Sequence, residues 1–133
     1  MRYLLDVNSL IALGFIEHTS HNRVVSWVQS LTSKERSGLA TCAITELGFV
    51  RILAQVTGYG FNLTQARALL LRLKTGRHLK LGFIADDHDV SRLPSWVKTA
   101  KQTTDGHLVE LARARGAILA TLDERVPGAF LIP

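Results

Sequence analysis

The chain has one cysteine, Cys42, in 133 residues. A single thiol excludes an intrachain disulfide and suits a reducing cytosol, so a cytoplasmic location is expected. No apolar run approaches the length needed to span a bilayer, which leaves no membrane role to assign. Near the start, Asp6, Asn8 and Glu17 interrupt what would have to be the apolar core of a signal peptide. Internal repeats, low-complexity tracts and linker-like stretches are also missing, so residues 1–133 read as one domain. No Cys/His set has the spacing of a zinc site.

What is present describes a globular protein. Apolar residues make up 47% of the chain and charged residues 20%, enough length and hydrophobicity for a real core. Sixteen Lys and Arg against eleven Asp and Glu give a net charge of +5. A basic surface suits nucleic acid, another polyanion or an acidic protein partner, and by itself chooses none of them.

Hydrophobic patterning alternates between strand and helix. The run RYLLD (2–6) reads as a buried strand, and NSLIALGF (8–15) as a helix capped by Asn8 or Ser9. Residues 21–31 carry Val24, Val25, Trp27, Val28 and Leu31 at helical spacing. SKERSG (33–38) reads as a charged turn, and LATC (39–42) as a short strand. Helices are expected over 44–56, over 64–76 with Thr64 as N-cap, and over 104–116 with Gly116 as its stop. Strands are expected over 78–85 and 117–123, with an edge strand over 129–133. The irregular stretch 86–102 has room for one short helix near 95–100. Alternation of this kind predicts an α/β sandwich around a mainly parallel sheet.

The acidic residues fall at informative places. Asp6 and Asp123 end predicted strands, and the crevice beyond strand carboxyl ends is where α/β sheets place ligands. Glu46 and Asp105 lie in first helical turns, where the helix dipole alone would favour an acid. An unpaired strand-end carboxylate beside a buried sheet is costly and calls for compensation. If all four face one crevice, their repulsion calls for a cation, and a hard ion with oxygen ligands, Mg²⁺ or Mn²⁺, fits this donor set. Without these four acids the remaining surface carries about +9. An acidic pocket in a basic surface suits an enzyme that binds a polyanionic backbone and cuts it.

The segments LLDVNSLIAL, ATCAITELGFVRIL and TTDGHLVELARARGAILATLDERV together resemble the PIN-domain ribonucleases, specifically the VapC toxins of prokaryotic toxin–antitoxin modules. The matching features are Asp-x-Asn at the first strand, Thr-Glu with a downstream Arg, Thr-Asp opening a Leu/Ala-rich helix, and Thr-x-Asp after an apolar strand. IADDHDVS is also similar to a segment of one subgroup. The resemblance covers nearly the whole chain. It implies a PIN-like α/β/α sandwich with about five strands, and an acidic site of Asp6, Glu46, Asp105 and Asp123 for Mg²⁺ or Mn²⁺. It implies that Asn8 and Thr121 support the site through hydrogen bonds and that Thr104 caps the Asp105 helix. It further implies a metal-dependent endoribonuclease that leaves 5′-phosphate and 3′-hydroxyl ends, with transfer or ribosomal RNA as substrate and inhibited translation and growth as the result. A toxin homodimer, a VapB-type antitoxin covering the groove, and operator DNA bound only through that antitoxin complete the implied set.

Other residues carry weaker signals. Arg51, five residues beyond Glu46, is placed to steady the acid pocket or touch phosphate, and a plain surface role is an equal reading. Asp86, Asp87 and Asp89 with His88 form a second acidic cluster that reads as solvated. Gly106 stands where many relatives carry Ala, at a cost of up to about 1 kcal/mol in helix propensity. His107 diverges by about 100° from its neighbours around the helix, which argues against a general base beside Asp105. Trp27 belongs to an apolar stripe, and Cys42 reads as a small buried hydrophobe. Two other functions remain readable: a PIN-like adaptor without catalysis, and an aspartyl phosphotransferase, whose motif needs an acid where Asn8 stands.

Overall fold

The computed structural model describes residues 1–133. Five parallel strands form one sheet in the order β3-β2-β1-β4-β5, with β1 Arg2–Leu5, β2 Leu39–Cys42, β3 Gly82–Ile84, β4 Ala117–Thr121 and β5 Phe130–Leu131. Leu4 sits opposite Ala40 on one side and Leu119 on the other, so β1 is central and buried. The helices are α1 Val7–Gly14, α2 His21–Ser30, α3 Ser33–Arg36, α4 Ala43–Gln55, α5 Leu63–Lys74 and α6 Thr103–Ala114. This is the expected α/β/α sandwich.

The strand pleat divides β1 between two cores. Tyr3 and Leu5 join a cluster with Leu10, Trp27, Phe49 and Leu70 from α1, α2, α4 and α5. Leu4 faces the other way and packs with Ala40, Cys42 and Leu119 against Leu108 and Leu111 of α6. Trp27 is buried edge-on against Tyr3, ring centroids 5.1 Å apart, and Cys42 is fully buried. Both residues belong to the interior.

Several local expectations need correction, and each has a physical cause. Asp6, rather than Asn8 or Ser9, caps α1, because its carboxylate accepts from the Ser9 backbone N–H. SKER is a short helix instead of a turn, closed by a reciprocal capping box between Thr32 and Glu35. Asn62 caps α5 through the same arrangement with Gln65, so Thr64 lies inside the helix. Residues 95–100 hold no α-helix. The surrounding segment contains only single 3₁₀ turns at Val90–Arg92 and Ala100–Gln102. The strand expected over 78–85 shrinks to Gly82–Ile84, since Lys80 instead forms an antiparallel bridge with Thr75.

Gly106 has a packing reason. A Cβ at this position would stand 2.3 Å from Val97 Cγ2 and 3.2 Å from Pro94 Cδ. The irregular 94–97 segment therefore lies directly on the first turn of α6, and only glycine admits it that closely.

Candidate active site

All the strands are parallel, so their carboxyl ends share one edge, and each predicted acid follows from that edge. Asp6 comes immediately after β1, Asp123 two residues after β4, and Glu46 in the first turn of α4 after β2. Asp105 reaches the same edge from the first turn of α6, whose other end leads into β4.

Asp6 is the anchor. It is 8% exposed, accepts from Ser9 N–H at 2.8 Å through Oδ1, and from the Thr121 hydroxyl at 2.6 Å through Oδ2. The Thr121 oxygen also accepts from Asp123 N–H at 3.0 Å, so one buried hydroxyl ties the ends of β1 and β4 together. Burial pushes the Asp6 carboxyl above its ordinary range. The bonds from Ser9 and Thr121 pull the other way, and the charge of Asp123 adds to the push. Asp105 is also raised, first by burial and then by the charges of Asp6 and Asp123. Asp6, Asp105 and Asp123 thus form one electrostatically coupled group in which ionising one acid penalises another.

Cations already answer part of this charge. Arg125 contacts both carboxylate oxygens of Asp123, at 3.0 and 3.1 Å, and holds that acid below its ordinary range. Lys74 Nζ, at the end of α5, lies 2.6 Å from Glu46 Oε2, which also accepts from Thr41 Oγ1 at 2.5 Å. Glu46 is therefore turned to Lys74 and is not among the charges that raise Asp6 or Asp105. No three acidic, histidine or cysteine side chains stand together at ligand spacing. Asp6, Asp105 and Asp123 thus share one edge and one another's charge without being arranged as a ligand set, and Glu46 shares the edge with its charge met by Lys74.

A hollow of about 530 Å³ opens over this edge and is lined by Asp6, Asn8, His18, Thr121, Asp123 and Arg125 among others. Asn8 lies at its exposed rim, and the bonds expected of it reach Asp6 from Ser9 and Thr121. Thr104 is the second residue of α6 and caps nothing, because the helix begins a residue earlier and Gln102 occupies the cap position. Arg51 is exposed on α4 and lines a separate apolar hollow with Ile44, Leu47 and Leu63. The cation that meets Glu46 is Lys74.

The second acidic cluster is dispersed. Asp86 lies 2.5 Å from His107 Nε2 and accepts from His88 N–H. Asp87 pairs with Arg115 at 2.6 Å, and Asp89 caps the turn at Ser91. Each acid is committed to a separate protein partner.

Lys74, Thr41 and Arg125 carry no role in the sequence reading, and Ser9 carries only that of a cap, whereas the structure makes its backbone N–H a donor to Asp6. The cap had a legible signal in Asp6 itself, since an Asp at a strand-to-helix junction is a favoured N-cap whose acceptor meets the backbone N–H three residues on. Lys74 had none, because nothing in the sequence brings the end of α5 to the start of α4.

No protein-family model matches the chain. Among curated proteins it is similar to Ribonuclease VapC38 of Mycobacterium tuberculosis (strain H37Rv), 38% identical, with 92% of this chain and 86% of that protein covered. The chain belongs to the VapC ribonuclease family. Ribonuclease VapC44 of M. tuberculosis (strain CDC 1551) is 36% identical over 97% of this chain and 94% of its own length. The fold is shared with a chain in the crystal structure of VapBC2 from Rickettsia felis bound to a DNA fragment from their promoter, at a TM-score of 0.55 and 17% identity, covering 98% and 97% of the two chains. Family membership places this VapC chain among the PIN-type toxins of toxin–antitoxin modules.

Proposed function

We propose that the protein is a Mg²⁺- or Mn²⁺-dependent endoribonuclease, the toxin of a type II toxin–antitoxin module. The single observation that supports the metal reading is the shared edge: buried Asp6 at the end of β1 opens onto one hollow with Asp123, and Asp105 begins α6 at the same end of the sheet. Asp6, Asp105 and Asp123 would hold the ion, joined by Glu46 once released from Lys74. When bound, the ion supplies activation of water and offsets charge at a phosphodiester.

The chain's own residues prepare that chemistry. Ser9 N–H and the Thr121 hydroxyl fix the Asp6 carboxylate on a rigid strand end, the kind of fixed first contact a catalytic centre needs. Arg125, 85% exposed at its side chain, and Lys74 are placed to take phosphate oxygens as the acids are drawn to the ion. The products would carry 5′-phosphate and 3′-hydroxyl ends. Transfer or ribosomal RNA is the proposed substrate, and halted translation and growth the consequence.

The partner is a VapB-type antitoxin. An apolar hollow of about 410 Å³ adjoins Glu46, lined by Leu47, Val50, Leu71 and Phe83 among others. Leu47, Leu71 and Phe83 are 66%, 56% and 51% exposed, a patch that favours a protein cover beside the acids. Operator DNA would be reached through the antitoxin, and the toxin would act as a homodimer.

Purified protein incubated with total transfer and ribosomal RNA tests the reading. Cutting with Mn²⁺ or Mg²⁺, arrested by chelator and restored by added metal, is the expected result. RNA binding unaffected by chelator and never followed by cleavage would instead identify a non-catalytic adaptor.

A further inference from the structure

At the opposite end of the sheet from the acids, a hollow of about 250 Å³ lies between the segments that lead into β2 and β3. Arg36, Ser33 and Ser37 line one side, and Arg77, His78 and Lys80 the other. No carboxylate lines it, and Arg36, Arg77 and Lys80 take part in none of the ion pairs. The adjacent acid, Glu35, is committed to the capping box with Thr32.

Cations gathered without a counter-charge repel one another, and one of them is also unsatisfied. Arg36 Nε is buried with no hydrogen-bond partner. A buried donor left unpaired costs about 1–3 kcal/mol, and more when it is charged. The surrounding backbone is closed: Thr75 and Lys80 bridge in antiparallel fashion across the turn carrying Arg77 and His78. On the other wall, Gly38 N–H bonds Glu35 O at 3.0 Å. The site is therefore shaped before any ligand arrives.

We infer that this hollow binds a phosphate group. Two guanidinium groups, an ammonium, an imidazole and the Ser33 hydroxyl, with the Ser37 hydroxyl committed to Lys34 O, offer more donors than the two oxygens of a carboxylate can accept, and a phosphate accepts them through several oxygens in the geometry guanidinium favours. The β2 strand separates this hollow from the acid edge by about 13 Å, so one nucleotide cannot fill both places. The phosphate comes either from the backbone of an RNA strand that also reaches the acids, which rests on the function proposed above, or from a free phosphate ester.

The test uses the full chain in chelator, following the arginine Nε–H signals by NMR as inorganic phosphate is titrated at constant ionic strength. A saturable shift of the Arg36 signal is expected, absent with acetate and lost in Arg77→Gln, whose exposed side chain makes that variant safe for folding. An unsaturable shift, an equal response to acetate, or full retention in Arg77→Gln would overturn the site. A second arm measures anisotropy of a labelled single-stranded RNA in chelator. If RNA is the source, Arg77→Gln and Lys80→Gln each lower the slope of log affinity against log salt by about 0.7 and weaken binding severalfold. Unchanged RNA binding with saturable phosphate assigns the site to a small phosphate ester. Asp6→Asn should leave the phosphate shift intact, which separates failure here from failure of the catalytic reading.

Discussion

Lys74 Nζ lies 2.6 Å from Glu46 Oε2, and the same ammonium sits 5.2 Å from the centre of the Phe83 ring. The end of α5 thus neutralises the one acid of the site that stands outside the mutually repelling trio. Lys74 and a divalent ion are competitors for Glu46. A partly exposed pair of this kind is worth about 0.5–1 kcal/mol, so Lys74→Gln should tighten Mn²⁺ binding about 2–5-fold. Calorimetric titration of Mn²⁺ into the two proteins measures it. Equal affinities would remove Glu46 from the ion's ligands or Lys74 from the competition.

Thr121 should matter through its hydroxyl alone. Thr121→Val keeps the volume but strips Asp6 of a donor and Asp123 N–H of its acceptor, at a site 1% exposed. A loss of about 1–3 kcal/mol is expected, with Thr121→Ser recovering most of it. Urea unfolding in chelator reads both variants, and a Val variant as stable as the parent would show the bridge to be idle.

Gly106→Ala sets helix propensity against packing. Propensity alone favours alanine by about 1 kcal/mol, whereas overpacking against Val97 and Pro94 costs about 1–3 kcal/mol. The 2.3 Å approach makes packing the larger effect, so the variant should unfold at lower denaturant. A gain in stability would mean that the 94–97 segment yields easily.

The pH dependence follows from the raised acids. Asp6 and Asp105 titrate above their ordinary value of 3.8 in the folded chain. Both therefore bind protons more readily folded than unfolded. Their stabilising contribution is complete below 3.8 and is lost as pH rises through their raised values. The depressed acids Glu35, Asp86, Asp87, Asp89 and Asp123 act in the opposite sense below the ordinary carboxylate range. His18, lowered by burial, opposes the loss from Asp6 and Asp105 as pH rises toward 6.5, so the contrast with Asp6→Asn isolates the trio. In chelator, melting temperature should fall as pH rises above the ordinary carboxylate range, and Asp6→Asn should flatten that fall. With excess Mn²⁺ the trend should reverse, since the ion and protons compete for the same oxygens. A chelated protein whose stability only rises over this window would contradict the coupling.

Much of the architecture was legible because strand and helix periods differ and each buried run here is bounded by a turn or an acid. Strand-terminal Asp6 and Asp123 announced a shared edge once the sheet was read as parallel. Local chemistry was harder to read. Asp6 reads as a charge needing compensation, and its role as the cap of α1 is masked because Asn8 and Ser9, also good capping residues, follow it closely. SKER looked like a turn because its charges masked the Thr32–Glu35 box. The edge strand near 78–85 was overextended because alternation cannot show that Lys80 turns back to Thr75. The pairing of Glu46 with Lys74 joins the start of α4 to the end of α5, and a contact so distant along the chain leaves no local pattern, whereas Arg51, five residues from Glu46, invited a reading at the pocket as readily as one at the surface.

The central claim is that Asp6 anchors a metal-dependent cutting centre, and replacing its charge while keeping its shape tests that most directly. In Asp6→Asn the side chain can still accept from Ser9 N–H and so keep the cap, while the donor for the ion is lost. Cleavage of RNA in saturating Mn²⁺ should fall by at least about 100-fold, with the unfolding midpoint in chelator equal to or above that of the parent. Cutting at the parental rate by a folded Asp6→Asn protein would contradict the account.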